Sequence, residues 1–190
     1  MNNSFGIPAH LFRVKQANGY WSMTPATYAS SFILEMEKRY GSRDSSWTYL
    51  GVEFSDDVPH VWFPKGDETP PRRHISITLS AETFSDRQRT VYQLAHECVH
   101  LLAPVVGGGA PVIEEGLVTA FSEDMIEYWC GNTNKQAYTS TQKYIDAAAR
   151  VRELLALEPD AIPRLRAVEP AFNQMTSDTF TRAGLNVPPA

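Results

Sequence analysis

The chain lacks long hydrophobic runs, an excess of basic residues and a cysteine framework. No stretch approaches the roughly 20 apolar residues of a membrane-spanning helix, and the N-terminal residues show no signal-peptide pattern. A formal charge of -5 gives no general attraction for phosphate backbones or anionic lipids. We therefore expect a soluble, cytoplasmic protein whose partners include neither nucleic acid nor a membrane.

The two cysteines, Cys98 and Cys130, form no ligand or disulfide spacing motif. With 43% hydrophobic and 21% charged residues, the composition is that of an ordinary globular protein. A chain of 190 residues fits one domain of common size and is long enough to hold a core without disulfides. The sequence therefore predicts a single domain over residues 1–190.

Strand patterns occupy the first half of the chain. Aromatic and β-branched residues over 47–54 and 60–63 predict two strands joined by a turn at 55–57. Apolar and small polar residues alternate over 74–80, which predicts a third strand.

Helical spacing of apolar residues dominates the rest of the chain. It predicts helices over 24–41, from 85 or 86 to about 103, from about 111 to 129 and from about 139 to 157. Several prolines interrupt the tail after 159, where we expect short helices packed over the core. Because most strands precede most helices, the order favours an α+β architecture over a βαβ repeat.

The sequence His96-Glu97-Cys98-Val99-His100 fits the H-E-x-x-H pattern. Composition alone would produce this pattern about 0.01 times in such a chain. On a helix, residues i and i+4 lie about 5 to 6 Å apart on one face, so two imidazoles can reach one metal ion. Glu97 can then reach a water molecule without being a ligand, and Cys98 is expected to face the core. Two ordinary helix histidines are the alternative interpretation.

A catalytic zinc site usually has three protein ligands. The sequence Glu114-Glu115-Gly116 supplies candidates for the third ligand near the start of the next predicted helix. The two carboxylates point about 100° apart around that helix, so Glu115 and Glu114 compete for the role. Both glutamates are also typical of a solvated first turn that favours the helix dipole.

These motifs resemble those of the gluzincin metallopeptidases, in which a glutamate on a following helix completes the H-E-x-x-H site. The resemblance assigns the ligand role to Glu115, beside His96 and His100, with one Zn²⁺. It implies a zincin-like fold: a small mixed or antiparallel sheet, an active-site helix, a glutamate helix and C-terminal helices. The sheet and active-site helix would occupy 1–103, and the helical part 104–190.

The resemblance also implies how the surroundings of the site are arranged. The strand over 75–80 would border the cleft as an edge that pairs with extended substrate, or would be an ordinary internal strand. Gly116 would let its helix approach the active-site helix closely. The short connection between His100 and Glu115 indicates a compact member of the group. A metzincin would need a further glycine and histidine at Ala103 and Val106, and the cysteine motif of deformylases is missing.

Supporting residues are open to more than one interpretation. Thr119 lies four residues after Glu115, where its hydroxyl could orient a ligand histidine or bond its own backbone. Gluzincins use a downstream Tyr or His to stabilise the oxyanion, and we favour Tyr144 over Tyr128 and Tyr138. His60 and His74 have no partner spacing and are expected to be structural.

The function expected from these parts is zinc-dependent hydrolysis of peptide bonds in a peptide or protein substrate. Zinc would activate water, and Glu97 would act as the general base. One alternative is a catalytically inactive zincin-like domain that binds metal and regulates or binds another protein. Another is a helical structural protein in which the motif is accidental.

Overall fold

Six α-helices and a three-stranded mixed sheet make up the computed structural model, which describes residues 11, 13–64 and 73–185. Along the chain the elements are α1 (Pro25–Tyr40), β1 (Thr48–Ser55), β2 (His60–Trp62), β3 (His74–Ser80), α2 (Arg87–His100), α3 (Val112–Cys130), α4 (Gln142–Leu157), α5 (Ala161–Val168) and α6 (Ser177–Arg182). The α+β class, the small mixed sheet and the helices predicted from apolar spacing are therefore confirmed.

The strand β3 lies at the centre of the sheet. It pairs in parallel with β1, from Thr48 opposite His74 to Ser55 opposite Ser80, and antiparallel with β2. The strands predicted over 47–54 and 60–63 are thus present but do not pair with each other. Residues 75–80 are all buried, whereas β1 and β2 both include exposed residues. The most buried strand, β3, is therefore the one that pairs on both sides.

The central position of β3 corrects the expectation of a substrate-binding edge at 75–80. Both edges of this strand are occupied by its neighbours, as the internal-strand alternative predicts. Within the described ranges, β2 pairs with β3 on one side only, so its other edge is free.

The helix α2 separates a core face from a face that carries both histidines of the motif. It begins after Asp86, whose carboxylate accepts a hydrogen bond from the backbone N–H of Arg89. The side chains of the core face are at most 1% exposed: Val91, Leu94, Ala95, Cys98, Leu101 and Leu102. Both cysteine thiols of the chain are free, and Cys98 lies in the core as expected.

The helix α3 packs between α2 and α4 and is buried over the whole range 116–123. The apolar spacing that predicts this helix includes Val112, but Val112 is 63% exposed because it lies at the first turn, outside these contacts. Gly116 permits a close approach to α4, since an added Cβ would lie 2.4 Å from the carbonyl oxygen of Ala147. The expected approach of Gly116 to the active-site helix is therefore wrong, and the neighbour is α4.

The C-terminal helices complete the core and hold the ends of two earlier helices. Ile162 and Leu165 of α5 are fully buried. The guanidinium of Arg166, also on α5, donates hydrogen bonds to three backbone carbonyls at or just beyond the C-terminal ends of α1 and α2: Tyr40 at 2.9 Å, Ser42 at 2.8 Å and Leu102 at 2.9 Å. One side chain therefore links the end of α1 to the segment after α2, where the Leu102 carbonyl also accepts from the backbone N–H of Asp44 at 3.1 Å.

No helix in the described part of the chain combines the length and apolar character needed to cross a lipid bilayer.

Candidate metal centre

The helices α2 and α3 bring His96, His100 and Glu115 together. One potential ligand atom from each of these residues lies within 4.8 Å of the other two. His96 Nε2 is 3.8 Å from Glu115 Oε2, and the two imidazole centroids are 5.2 Å apart. Two nitrogen donors and one carboxylate oxygen suit a divalent metal ion, and zinc sites with an open position commonly have this composition.

Glu114 is hydrogen-bonded to one of these histidines and is not a member of the three-residue group. Its Oε1 accepts a hydrogen bond from His100 Nδ1 at 2.7 Å, and its side chain is only 7% exposed. Because Nδ1 is engaged, Nε2 is the ring nitrogen of His100 that remains for a metal. From the sequence, Glu114 was interpreted as a competing ligand or as a solvated residue of the first turn. The sequence feature that indicates a different role from Glu115 is the 100° between adjacent carboxylates on a helix.

The protonation of the two histidines differs because their surroundings differ. Burial, together with the charge of His100, lowers the pKa of His96 to about 3, so its imidazole is neutral. Burial also acts to lower the pKa of His100, but the hydrogen bond that its imidazole donates to Glu114 and the charges of the nearby carboxylates raise it above its ordinary value. A neutral imidazole is the form that binds a metal ion.

Glu97 is a buried carboxyl group beside the three-residue group. It is 3% exposed and belongs to the wall of the same cleft as His96, His100 and Glu115. Burial raises its pKa to about 7; the charge of His100 opposes this rise and that of Glu115 adds to it. A carboxyl group with this pKa can accept and return a proton near neutral pH.

The three-residue group lies in a cleft of about 460 Å³. The edge strand β2 and its flanks form one wall, and the connection between α2 and α3, with Gly107, Gly108 and Gly109, forms the rim. Tyr144 of α4 and Asn173, which precedes α6, also line the cleft. The C-terminal part of the chain therefore contributes to the cleft lining.

Among the three candidate tyrosines, Tyr144 is the one that lines the cleft. Its ring contacts the Lys143 ammonium, with Nζ 4.7 Å from the ring centroid. Tyr128 is 77% exposed, and the Tyr138 hydroxyl donates to the Asp86 carboxylate at 2.8 Å. Tyr144 therefore differs from Tyr128 and Tyr138 in lying in the cleft lining.

Thr119 makes neither of the bonds considered for it. Its side chain is fully buried, and its hydroxyl has no hydrogen-bond partner among the described residues. The expected support for a ligand histidine is therefore not seen, and neither is a bond to its own backbone.

His60 was missed as a residue of the cleft. It was expected to be structural, yet it lies on the β2 wall, and its Nδ1 donates to the backbone carbonyl of Val58 at 2.8 Å. Nothing in the spacing of His60 indicates this position, because the strand order brings β2 to the cleft. His74, at the start of β3, is not part of the cleft lining.

Exchange of the two adjacent glutamates for glutamine should separate their roles. Glu114→Gln keeps an oxygen that can accept the His100 hydrogen bond, so zinc affinity should fall by about 10-fold, at the low end for residues that orient a ligand. Glu115→Gln removes an anionic ligand, so the loss should be much larger. Competition titration against a chromophoric chelator measures both affinities, and equal losses would contradict the assignment.

The chain matches no protein-family model, no curated protein and no solved structure.

Proposed function

We propose that the chain is a zinc-dependent metallopeptidase. The observation that carries the proposal is that potential ligand atoms of His96, His100 and Glu115 lie within 4.8 Å of one another. Glu97 lines the same cleft. The proposed metal is zinc because two imidazoles and one carboxylate are a common ligand set for catalytic zinc, which keeps a further position open. The hydrogen bond from His100 to Glu114 supports the same choice, since such carboxylate partners orient zinc-binding histidines.

The proposed chemistry divides between the metal and the side chains. Bound zinc would act as a Lewis acid toward the substrate carbonyl and would make water a better nucleophile at neutral pH. Glu97 would accept the proton that the water loses as its oxygen adds to the carbonyl carbon. The same carboxyl group would then deliver this proton to the leaving amine nitrogen as the C–N bond breaks.

The substrate backbone would bind along β2. This strand has a free edge among the described strands, and His60 and Val61 belong to the cleft wall. An extended peptide can add to such an edge through main-chain hydrogen bonds, which places its carbonyl groups over the cleft. The proposed substrate is therefore a peptide or an unfolded segment of a protein.

Zinc content and cleavage test the proposal together. Protein purified without chelators or a metal-affinity tag should contain about one zinc per chain by elemental mass spectrometry. A peptide library should be cleaved, with activity lost on chelation and restored by added zinc. Failure to bind zinc even on titration would refute the metal centre. Zinc binding without any cleavage would instead favour an inactive metal-binding domain, although the intact Glu97 argues against that function.

Tyr144→Phe should lower kcat by about 100-fold, because a hydroxyl in the cleft wall would stabilise the negative charge that develops on the carbonyl oxygen. KM and zinc content should change little. Tyr128→Phe is the matched control, since Tyr128 is exposed and lies outside the cleft lining. Steady-state kinetics on one fluorogenic peptide compares the two variants, and an unchanged kcat in Tyr144→Phe would remove this residue from the mechanism.

A further inference from the structure

Among the residues that the structure describes, three carboxylates line the cleft, and all three belong to the metal centre. Glu114 accepts the hydrogen bond from His100, and Glu115 lies 3.8 Å from His96 Nε2. Glu97 follows His96 directly in α2 and is 3% exposed. Recognition of a peptide N-terminus requires a carboxylate whose oxygens are available to the ammonium group. Each carboxylate here has a place in the centre itself, so none is left for that contact.

The cleft is equally unsuited to a peptide C-terminus. Within the ranges that the structure describes, its lining includes no lysine or arginine side chain. Lys143 lies next to the lining, where its ammonium packs over the ring of Tyr144. A terminal carboxylate bound away from the metal position would lose water with no described lysine or arginine of the lining to pair with it, and burial of an unpaired charge is costly.

Two parts of the lining offer groups that suit the middle of a peptide. The free edge of β2 presents backbone groups that can pair with any extended segment, whatever its distance from the chain ends. The lining also includes Asn173, whose side-chain amide can both donate to and accept from a peptide group. These contacts are neutral and do not depend on a free terminus.

We infer that the cleft takes the interior of an extended peptide, so that the chain is an endopeptidase. This inference rests on the proposed metallopeptidase function. Both ends of the substrate extend into solvent, and blocking them removes no contact with the protein. Cleavage should therefore fall at bonds remote from either terminus.

The test uses the zinc-loaded full chain and two versions of one peptide library. In one version the peptides are acetylated at the N-terminus and amidated at the C-terminus, and in the other both ends are free. Mass spectrometry of the products should show the same interior cleavage sites in both versions. For the best sequence, kcat/KM on the blocked and free peptides should agree within about threefold. Glu97→Gln, assayed in parallel, identifies any contaminating peptidase.

Each other outcome has a distinct meaning. Cleavage of free peptides alone, one or two residues from an end, would overturn the endopeptidase inference and leave the metallopeptidase proposal standing. Cleavage of neither version would contradict both. Lys143→Gln is a second variant that tests a cation next to the described lining: its ratio of blocked to free kcat/KM should equal that of the unmodified chain. A selective loss on peptides with a free carboxylate would show that Lys143 binds a C-terminus and would overturn the inference.

Discussion

Glu97→Gln should bind about one zinc per chain and lose peptidase activity by about 10² to 10⁴-fold, the usual range for loss of a general acid–base group. Glutamine nearly matches the size and shape of glutamate, so the buried position next to His96 can be filled without a cavity. It cannot accept a proton from water near neutral pH, and it cannot return one to the leaving amine. The loss should therefore appear in kcat, while the three proposed ligands stay intact.

Glu53→Gln is the matched control for this variant. Glu53 is an exposed residue of β1 and is not part of the cleft lining, so the same chemical change there should leave both zinc content and kcat unaltered. Elemental mass spectrometry and steady-state kinetics are run on both proteins. Activity retained in Glu97→Gln would exclude Glu97 as the base. Loss of zinc together with activity would instead mean that Glu97 helps to hold the metal.

Gly116→Ala should destabilise the fold by about 2 kcal/mol, because added volume in a well-packed core is costly. The new Cβ would lie 2.4 Å from the Ala147 carbonyl oxygen and 2.7 Å from the side chain of Val151, so α3 and α4 must separate. This cost exceeds the roughly 0.5 to 1 kcal/mol that alanine gains over glycine within a helix. The melting temperature should fall by about 4 to 8 °C, measured by circular dichroism.

Gly109→Ala serves as the stability control, since a Cβ there would meet no atom within 4 Å. Its melting temperature should stay within about 2 °C of the unmodified protein, as is usual for changes away from packed contacts. Zinc affinity should also fall in Gly116→Ala, because the displaced helix carries Glu115 next to the substituted position. An unchanged melting temperature in Gly116→Ala would mean that α3 and α4 can separate freely.

The sequence predicts those features of the fold and the site that depend on neighbouring residues along one element. Apolar spacing and stop signals act within a few turns, so the helices over 24–41 and 139–157 lie close to their predicted bounds. The juxtaposition of His96 and His100 is of the same kind, because a spacing of four residues places two side chains together in any regular helix.

Features that depend on which elements become neighbours could not be predicted in this way. The alternation in 74–80 indicates a strand, but it contains no information about the strands that pair with it, and the internal position of β3 was left open. Gly116 indicates a close approach without naming the partner helix, which is α4. The position of His60 in the cleft lining could not be predicted either, since only the strand order places β2 beside α2.

The distinction between Glu114 and Glu115 depends partly on one helix and partly on the packing of its neighbours. Helical geometry states that adjacent carboxylates diverge, but the choice of the one that faces the ligand histidines depends on the rotation of α3 about its axis. That rotation is set by the burial of 116–123 between α2 and α4. The position of Tyr144 likewise follows from the packing of α4 against α3.

Arg166 has a consequence for anyone who shortens this chain. Its guanidinium reaches carbonyls of two separate segments, and a lysine could not replace it, because a single ammonium group lacks the planar fork that spans them. One of these carbonyls belongs to Leu102, two residues beyond His100. A truncated version for expression or crystallisation should therefore extend past α5, since otherwise the end of α1 and the segment after α2 lose the side chain that links them.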